Sequence, residues 1–161
     1  MTTRIIGLGN SILTDDGVGI HAVREVQRRL EACPGADVEI VETEVGGFSL
    51  MELLTGCKKV ILIDCIQFEG LIPGTVVHIN PGDLRTSLRL RSVHDIDLPT
   101  VLELGSRLGL PMPEEISVIG IQAENALTFG ESLTDAAERG MKKAVNHVLD
   151  MIRDPSSEMR H

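Results

Sequence analysis

Two periodicities in the placement of apolar residues divide the chain into alternating strands and helices. Residues 60–66, VILIDCI, form the most continuous apolar run, which is typical of a central strand covered on both faces. Residues 134–153 carry apolar side chains on one helical stripe and predict a closing helix. Shorter segments predict further strands over 3–8, 37–42, 74–79 and 116–121, and further helices over 18–33, 48–54 and 98–108.

This alternation predicts the fold class. Strands that alternate with helices indicate an α/β three-layer sandwich, in which a twisted, largely parallel sheet is flanked by helices. The sequence contains no internal repeat and no interior linker. We therefore expect a single α/β domain over residues 1–153, followed by a flexible tail over 154–161.

Composition and charge narrow the classes of function. The chain has 161 residues, of which 42% are hydrophobic and 2% aromatic, and its formal net charge is −9. Because phosphate backbones and anionic membranes attract lysine and arginine, we expect neither nucleic acid nor a membrane as a partner. No segment approaches the ~20 apolar residues of a membrane span, and the N-terminal apolar run is too short for a signal peptide. Three cysteines without a CxxC pair favour a reducing compartment, so a cytoplasmic protein is expected.

A glycine-rich loop, GLGNSILTDDGVG at residues 7–19, follows the first strand. It differs from a dinucleotide-binding turn because Ile12 occupies the position of the third glycine in GxGxxG, and the sequence lacks a Walker A motif. Asp15 and Asp16 would also place negative charge where a phosphate binds. We expect the glycines to allow a tight turn, and we expect one of the two aspartates to cap the following helix and the other to serve as a metal ligand.

Two further polar residues are expected near this loop. Ligands of open α/β sheets bind outside the carboxyl ends of the strands, and Asp64 lies near the end of the apolar run while His94 follows the strand at 74–79. Each residue also has a non-functional interpretation: Asp64 as a structural acid that caps a neighbouring loop, and His94 as an ordinary loop histidine. Together with one aspartate of the Asp15-Asp16 pair they would form a three-ligand site for a divalent ion of the zinc, nickel or manganese kind, with coordination positions left open. Asp95 or Asp97 would orient the imidazole.

Three segments of the chain resemble the [NiFe]-hydrogenase maturation proteases. They are GLGNSILTDDGVG at 7–19, ILIDCI at 61–66 and SVHDIDL at 92–98, and the resemblance extends over residues 4–153. The first segment is the one that is specific to this family, whereas the other two would be weak signals alone. The resemblance implies a cytoplasmic hydrolase, an aspartyl-type endopeptidase that activates a hydrogenase by removing the C-terminal extension of its large-subunit precursor after nickel insertion.

The same resemblance assigns roles to individual residues. It places the family's metal-binding and catalytic residues on Asp16, Asp64 and His94, which leaves Asp15 to cap the following helix. It also implies that the nickel belongs to the precursor rather than being permanently bound. Many members have Glu at the position of Asp16 and Ala at the position of Cys65, and residues 45–48 lack the Gly-Thr pair common in the family. These departures leave the assignment of the three site residues unchanged.

Three alternatives remain open at this point. Cys65 adjoins Asp64, so a cysteine nucleophile activated by His94 is one alternative within the class of enzymes. The second is a non-catalytic chaperone that recognises nickel in the precursor without cutting it. The third is a nucleotide-binding regulator, which the loop sequence disfavours.

Overall fold

Five strands form one sheet within residues 2–33, 35, 37–79 and 97–153, the residues that this computed structural model describes. The strands lie in the order β2-β1-β3-β5-β4. The first four in that order are parallel, and β4 pairs with β5 in the antiparallel direction at one edge. The strands span β1 Thr3–Leu8, β2 Val38–Thr43, β3 Lys59–Ile66, β4 Val76–Ile79 and β5 Glu115–Gln122.

Four α-helices flank this sheet in the described part of the chain, which confirms the predicted three-layer sandwich and its largely parallel sheet. Short 3₁₀ turns, Thr14–Gly17 and Gly47–Ser49, lead into the first two helices. The tail predicted at 154–161 lies outside the described residues. No helix among the described residues has the length and apolarity that crossing a membrane requires. The helices span α1 Val18–Glu31, α2 Leu50–Leu54, α3 Leu98–Arg107 and α4 Asp135–Arg153.

Strand β3 is buried on both faces, as its continuous apolar run predicts. Ile61 and Ile63 belong to the core cluster that includes residues of α1 and α4, whereas Val60 and Leu62 belong to the cluster that includes residues of α2 and α3. Each such aliphatic side chain stabilises the fold by about 1.5–3 kcal/mol when it is fully buried. The two clusters hold the sheet between its helical layers.

The direction of each strand determines where the connecting loops meet. Strands β1, β2, β3 and β5 end at one edge of the sheet, which we call the carboxyl edge; the loops at this edge are 9–17, 44–49, 67–75 and 123–134. Helix α3 runs back from this edge, because the segment after it meets the start of β3. Gly56 N–H donates to Pro111 O at 3.0 Å, and Glu114 N–H donates to Lys58 O at 2.9 Å.

Candidate active site

The loop between β1 and α1 is a close-packed turn. A Cβ on Gly9, which has φ +149°, would collide with the carbonyl oxygen of Asp16, and one on Gly17 would lie 2.7 Å from Ser11 Cα. A Cβ on Gly19 would collide with the carbonyl oxygens of Ile63 and Leu8. The glycines allow the tight turn that the sequence predicts, and they also let the start of α1 pack directly on the sheet.

Asp15 is fully buried and holds this turn to the opposite loop. Its Oδ2 accepts from Glu124 N at 2.9 Å, from Asn125 N at 3.0 Å and from Thr134 Oγ1 at 2.7 Å, and its Oδ1 accepts from Thr134 N at 2.8 Å. The prediction that Asp15 caps α1 is therefore wrong. The start of α1 has no side-chain cap, and Asp15 instead binds the loop after β5 and the residue that leads into α4.

The sequence did not predict the residues that bind Asp15. Thr134 both donates to Asp15 and accepts from Ala137 N at 3.3 Å, so it caps α4 while joining it to the turn. A threonine just before a strongly periodic helix is a cap signal. The sequence contains no signal for its pairing with Asp15, because the two residues are separated by 119 positions.

Asp16 and Asp64 lie at the carboxyl edge and are both buried, with 3% and 1% of their surface exposed. Asp16 Oδ2 accepts from Asn10 N at 3.1 Å, and Asp64 Oδ1 accepts from Cys65 N at 2.8 Å. The 3₁₀ turn that carries Asp16 contacts β3. Asp64 lies one position beyond Ile63, the last residue of β3 that pairs with β1. The structure thus brings two of the three predicted site residues to the same edge, each oriented by a backbone N–H.

His94 lies outside the described residues, as does Asp95. The prediction that His94 follows a strand whose carboxyl end lies at this edge is wrong, because β4 is antiparallel and its own carboxyl end points away from Asp64. Asp97 accepts from Thr100 N at 3.3 Å and caps α3, near the carboxyl edge. Its predicted partnership with His94 stays a prediction.

The described residues supply two carboxylates to the predicted metal site. Across residues 2–33, 35, 37–79 and 97–153, no group of three or more His, Cys, Asp or Glu side chains is arranged to hold a metal ion. Carboxylate oxygens are hard ligands, and a nitrogen ligand such as an imidazole would be needed to favour nickel or zinc. The site at this edge therefore depends on a third ligand, which the sequence prediction assigns to His94.

Cys65 has an environment that opposes nucleophilic chemistry. The side chain is fully buried in the cluster that includes residues of α1 and α4. Burial raises the pKa of the thiol far above its ordinary value, and the negative charges of Asp64, Asp16 and Asp15 raise it further. A thiol reacts as its thiolate, so the cysteine alternative has no support in this geometry.

Comparison with known proteins connects this site to a family. A family model of hydrogenase maturation proteases matches residues 20–151. Protein FrxA of Pyrococcus furiosus is 33% identical over 146 residues, which cover 87% of this chain and 97% of the relative. The hydrogenase 2 maturation protease of Escherichia coli is 25% identical, with 98% and 94% covered. The solved [NiFe] hydrogenase maturation protease HybD of Thermococcus kodakarensis superposes with a TM-score of 0.74 at 27% identity, over 94% of this chain and 99% of that one.

The chain belongs to the hydrogenase maturation protease family. The matched region includes Asp64 and the position of His94, and it begins just after the turn that carries Asp16. The resemblance expected from the three sequence segments is thereby confirmed at the level of the family, as is the fold that it implies.

Proposed function

We propose that this protein is an endopeptidase that removes the C-terminal extension of a [NiFe]-hydrogenase large-subunit precursor after nickel has been inserted. The observation that carries the proposal is the burial of Asp16 and Asp64 at one edge of the sheet, in a chain that belongs to a family of hydrogenase maturation proteases. Buried carboxylates are costly unless they are hydrogen-bonded or bind a cation. A pair of them at the ligand-binding edge of an α/β sheet is consistent with a functional site.

In this proposal the nickel is part of the substrate. Asp16 and Asp64 supply oxygen ligands and His94 supplies an imidazole nitrogen, a donor set that suits a divalent ion such as nickel. The hydrogen bonds from Asn10 N and Cys65 N hold the two carboxylates in fixed orientations. Such preorganisation supports the docking of a metal that arrives with the precursor.

Water is the nucleophile in the proposed reaction. It attacks the scissile carbonyl and passes its proton to a carboxylate base, and the precursor's nickel, where it polarises the water, would make this transfer easier. The base returns this proton to the amide nitrogen of the leaving segment as the C–N bond breaks. Two chains result, the processed large subunit and the released extension.

The test uses the purified protein and a co-expressed large-subunit precursor, with and without nickel. Mass spectrometry should reveal nickel-dependent loss of a C-terminal peptide. Asp64→Asn and His94→Ala should lower the rate by a factor of about 10² or more, the typical contribution of an acid–base group. Asp150→Asn, at an exposed position of α4, and His147→Ala, at a half-buried position of α4 beside His78, make the same chemical changes away from the site and should leave the rate unchanged.

Three other outcomes would each contradict a specific part of the proposal. An unchanged precursor mass, with nickel-dependent binding, would identify a non-catalytic chaperone instead. Cleavage at the same rate with and without nickel would exclude docking through the metal. Normal cleavage by both Asp64→Asn and His94→Ala would exclude the assigned site.

A further inference from the structure

Large apolar side chains are exposed in every described loop of the carboxyl edge. Phe129 is 80% exposed and Leu127 is 84% exposed, whereas the aliphatic side chains of the core are buried. Only three phenylalanines occur in the sequence, and two of them are exposed at this edge. We call this set the apolar rim, and its members are Ile12, Val45, Phe48, Ile72, Leu127 and Phe129.

Part of the apolar rim is rigidly connected to the site. Gly130 N–H donates to Ile12 O at 2.9 Å, and Thr14 N–H donates to Gly130 O at 2.9 Å. Asp15 N–H donates to Asn125 O at 2.9 Å. These bonds join loop 123–134 to the turn that carries Asp16. The exposure of its apolar residues is therefore not explained by a loosely held loop.

The described loops of the carboxyl edge carry charge of one sign. The loops 9–17, 44–49, 67–75 and 123–134 contain no lysine or arginine. Exposed acids border the apolar rim in three of these loops; they are Glu44, Glu69, Glu124 and Glu131. At the opposite edge, by contrast, Lys59 pairs with Glu115 at 3.9 Å, so both signs occur there.

We propose that the apolar rim is the docking surface for a segment of the precursor that carries both apolar and cationic side chains. The inference rests on the proposed function for the identity of the partner. Exposed aromatic and aliphatic side chains are typical anchors of protein interfaces, and a border of acids selects a positively charged partner. An anionic membrane would be repelled by these acids. Two copies of this chain would place acids against acids in a twofold interface.

The test measures binding and cleavage separately, with the nickel-loaded precursor as the probe. The double variant Leu127→Ser/Phe129→Ser should raise the Kd by at least about tenfold, since the loss of a single anchor residue typically costs a factor of ten or more. KM should rise with kcat unchanged at saturating precursor. The matched control is Leu108→Ser, which removes an exposed leucine from the segment after α3 and should leave Kd and KM unchanged.

Charge reversal tests the acidic border. Glu44→Lys/Glu124→Lys/Glu131→Lys should weaken binding at low salt, and the weakening should diminish as added salt screens the charges. Glu31→Lys/Glu114→Lys, which alters exposed acids remote from the carboxyl edge, serves as the control and should bind as the wild type does.

The outcomes separate this inference from the proposed function. If the wild type cleaves the precursor and the rim variants bind it normally, the docking surface is wrong and the proposed function stands. If the wild type binds through the rim and does not cleave, the proposed function is wrong and the docking surface stands. Absence of both binding and cleavage overturns both. If the wild type self-associates and Leu127→Ser/Phe129→Ser abolishes this self-association, the occupant of the rim is a second copy of the chain, and the proposal is overturned.

Discussion

Two adjacent aspartates, Asp15 and Asp16, have different roles in the structure, and the same substitution at each should separate them. Asp15 accepts four hydrogen bonds from Glu124 N, Asn125 N and both donors of Thr134. Asp16 accepts from Asn10 N within its own loop. We expect Asp15→Asn to lower the free energy of unfolding strongly, and Asp16→Asn to alter it by less than about 1 kcal/mol while abolishing processing.

The magnitude for Asp15→Asn follows from its hydrogen bonds. Asparagine has one acceptor oxygen, so its amide group would face the Thr134 N–H and leave that partly buried donor unsatisfied, at a cost of about 1–3 kcal/mol. The three remaining bonds would lose the strength that the ionised carboxylate gives them. The total is about 4 kcal/mol, which corresponds to a decrease in Tm of about 8–16 °C for a domain of this size.

The paired design removes a confounding effect. Each substitution also replaces one of the acids that act on the buried Cys65 thiol, so the change from carboxylate to amide is common to the two variants. The difference between the variants therefore reports the hydrogen bonds of Asp15. Urea unfolding followed by far-UV circular dichroism is the appropriate assay, because the chain has no Trp or Tyr. Free energies of unfolding within 1 kcal/mol of each other would refute the structural role of Asp15.

Three further substitutions test other parts of the structure. Gly19→Ala should destabilise the protein by about 3 kcal/mol in urea unfolding, although alanine favours helices, because the added Cβ would collide with two backbone oxygens; a more stable variant would contradict the packing. Cys65→Ala should process the precursor at the wild-type rate in the mass assay, and loss of activity would restore the cysteine mechanism. Glu25→Gln should lower the free energy of unfolding by about 0.5–1 kcal/mol at pH 7. Hydrogen bonds from Arg28 and then Arg29 lower the pKa of Glu25 to about 2, so this difference should be constant above pH 4.5 and disappear towards pH 2; a pH-independent difference would contradict the ion pairs.

The sequence predicted the elements well because their signals are local. The apolar run at 60–66 and the helical stripe of α4 each depend on neighbouring residues, and the structure gives Lys59–Ile66 and Asp135–Arg153. The direction of β4 was not predictable in the same way. An apolar pattern is the same whether a strand runs parallel or antiparallel to its neighbour. Only the register, in which Val76 pairs with Ile121 and Ile79 pairs with Val118, reveals the direction.

The residues at the site also differ in whether their sequence signal is local. Asp64 was identifiable because an acid within an apolar run is conspicuous, and its burial confirms that part of the reasoning. The apolar rim was not identifiable, because an isolated apolar residue in a loop acquires meaning only when other loops place similar residues beside it. The same applies to Asp15, whose partners lie 109–119 residues further along the chain.

The hydrogen bonds of Asp15 account for how Asp16 can be held in a buried position. Holding Asp16 and Asp64 at one edge, both almost fully buried, costs free energy because carboxylates lose solvation there. The turn that carries Asp16 must therefore be held by interactions that outweigh this cost, and Asp15 provides them through bonds to loop 123–134 and to the start of α4. Loop 123–134 in turn carries Leu127 and Phe129 of the apolar rim. One buried carboxylate thus connects the acidic site, the proposed docking surface and the longest described helix, so a substitution at Asp15 should disturb all three together.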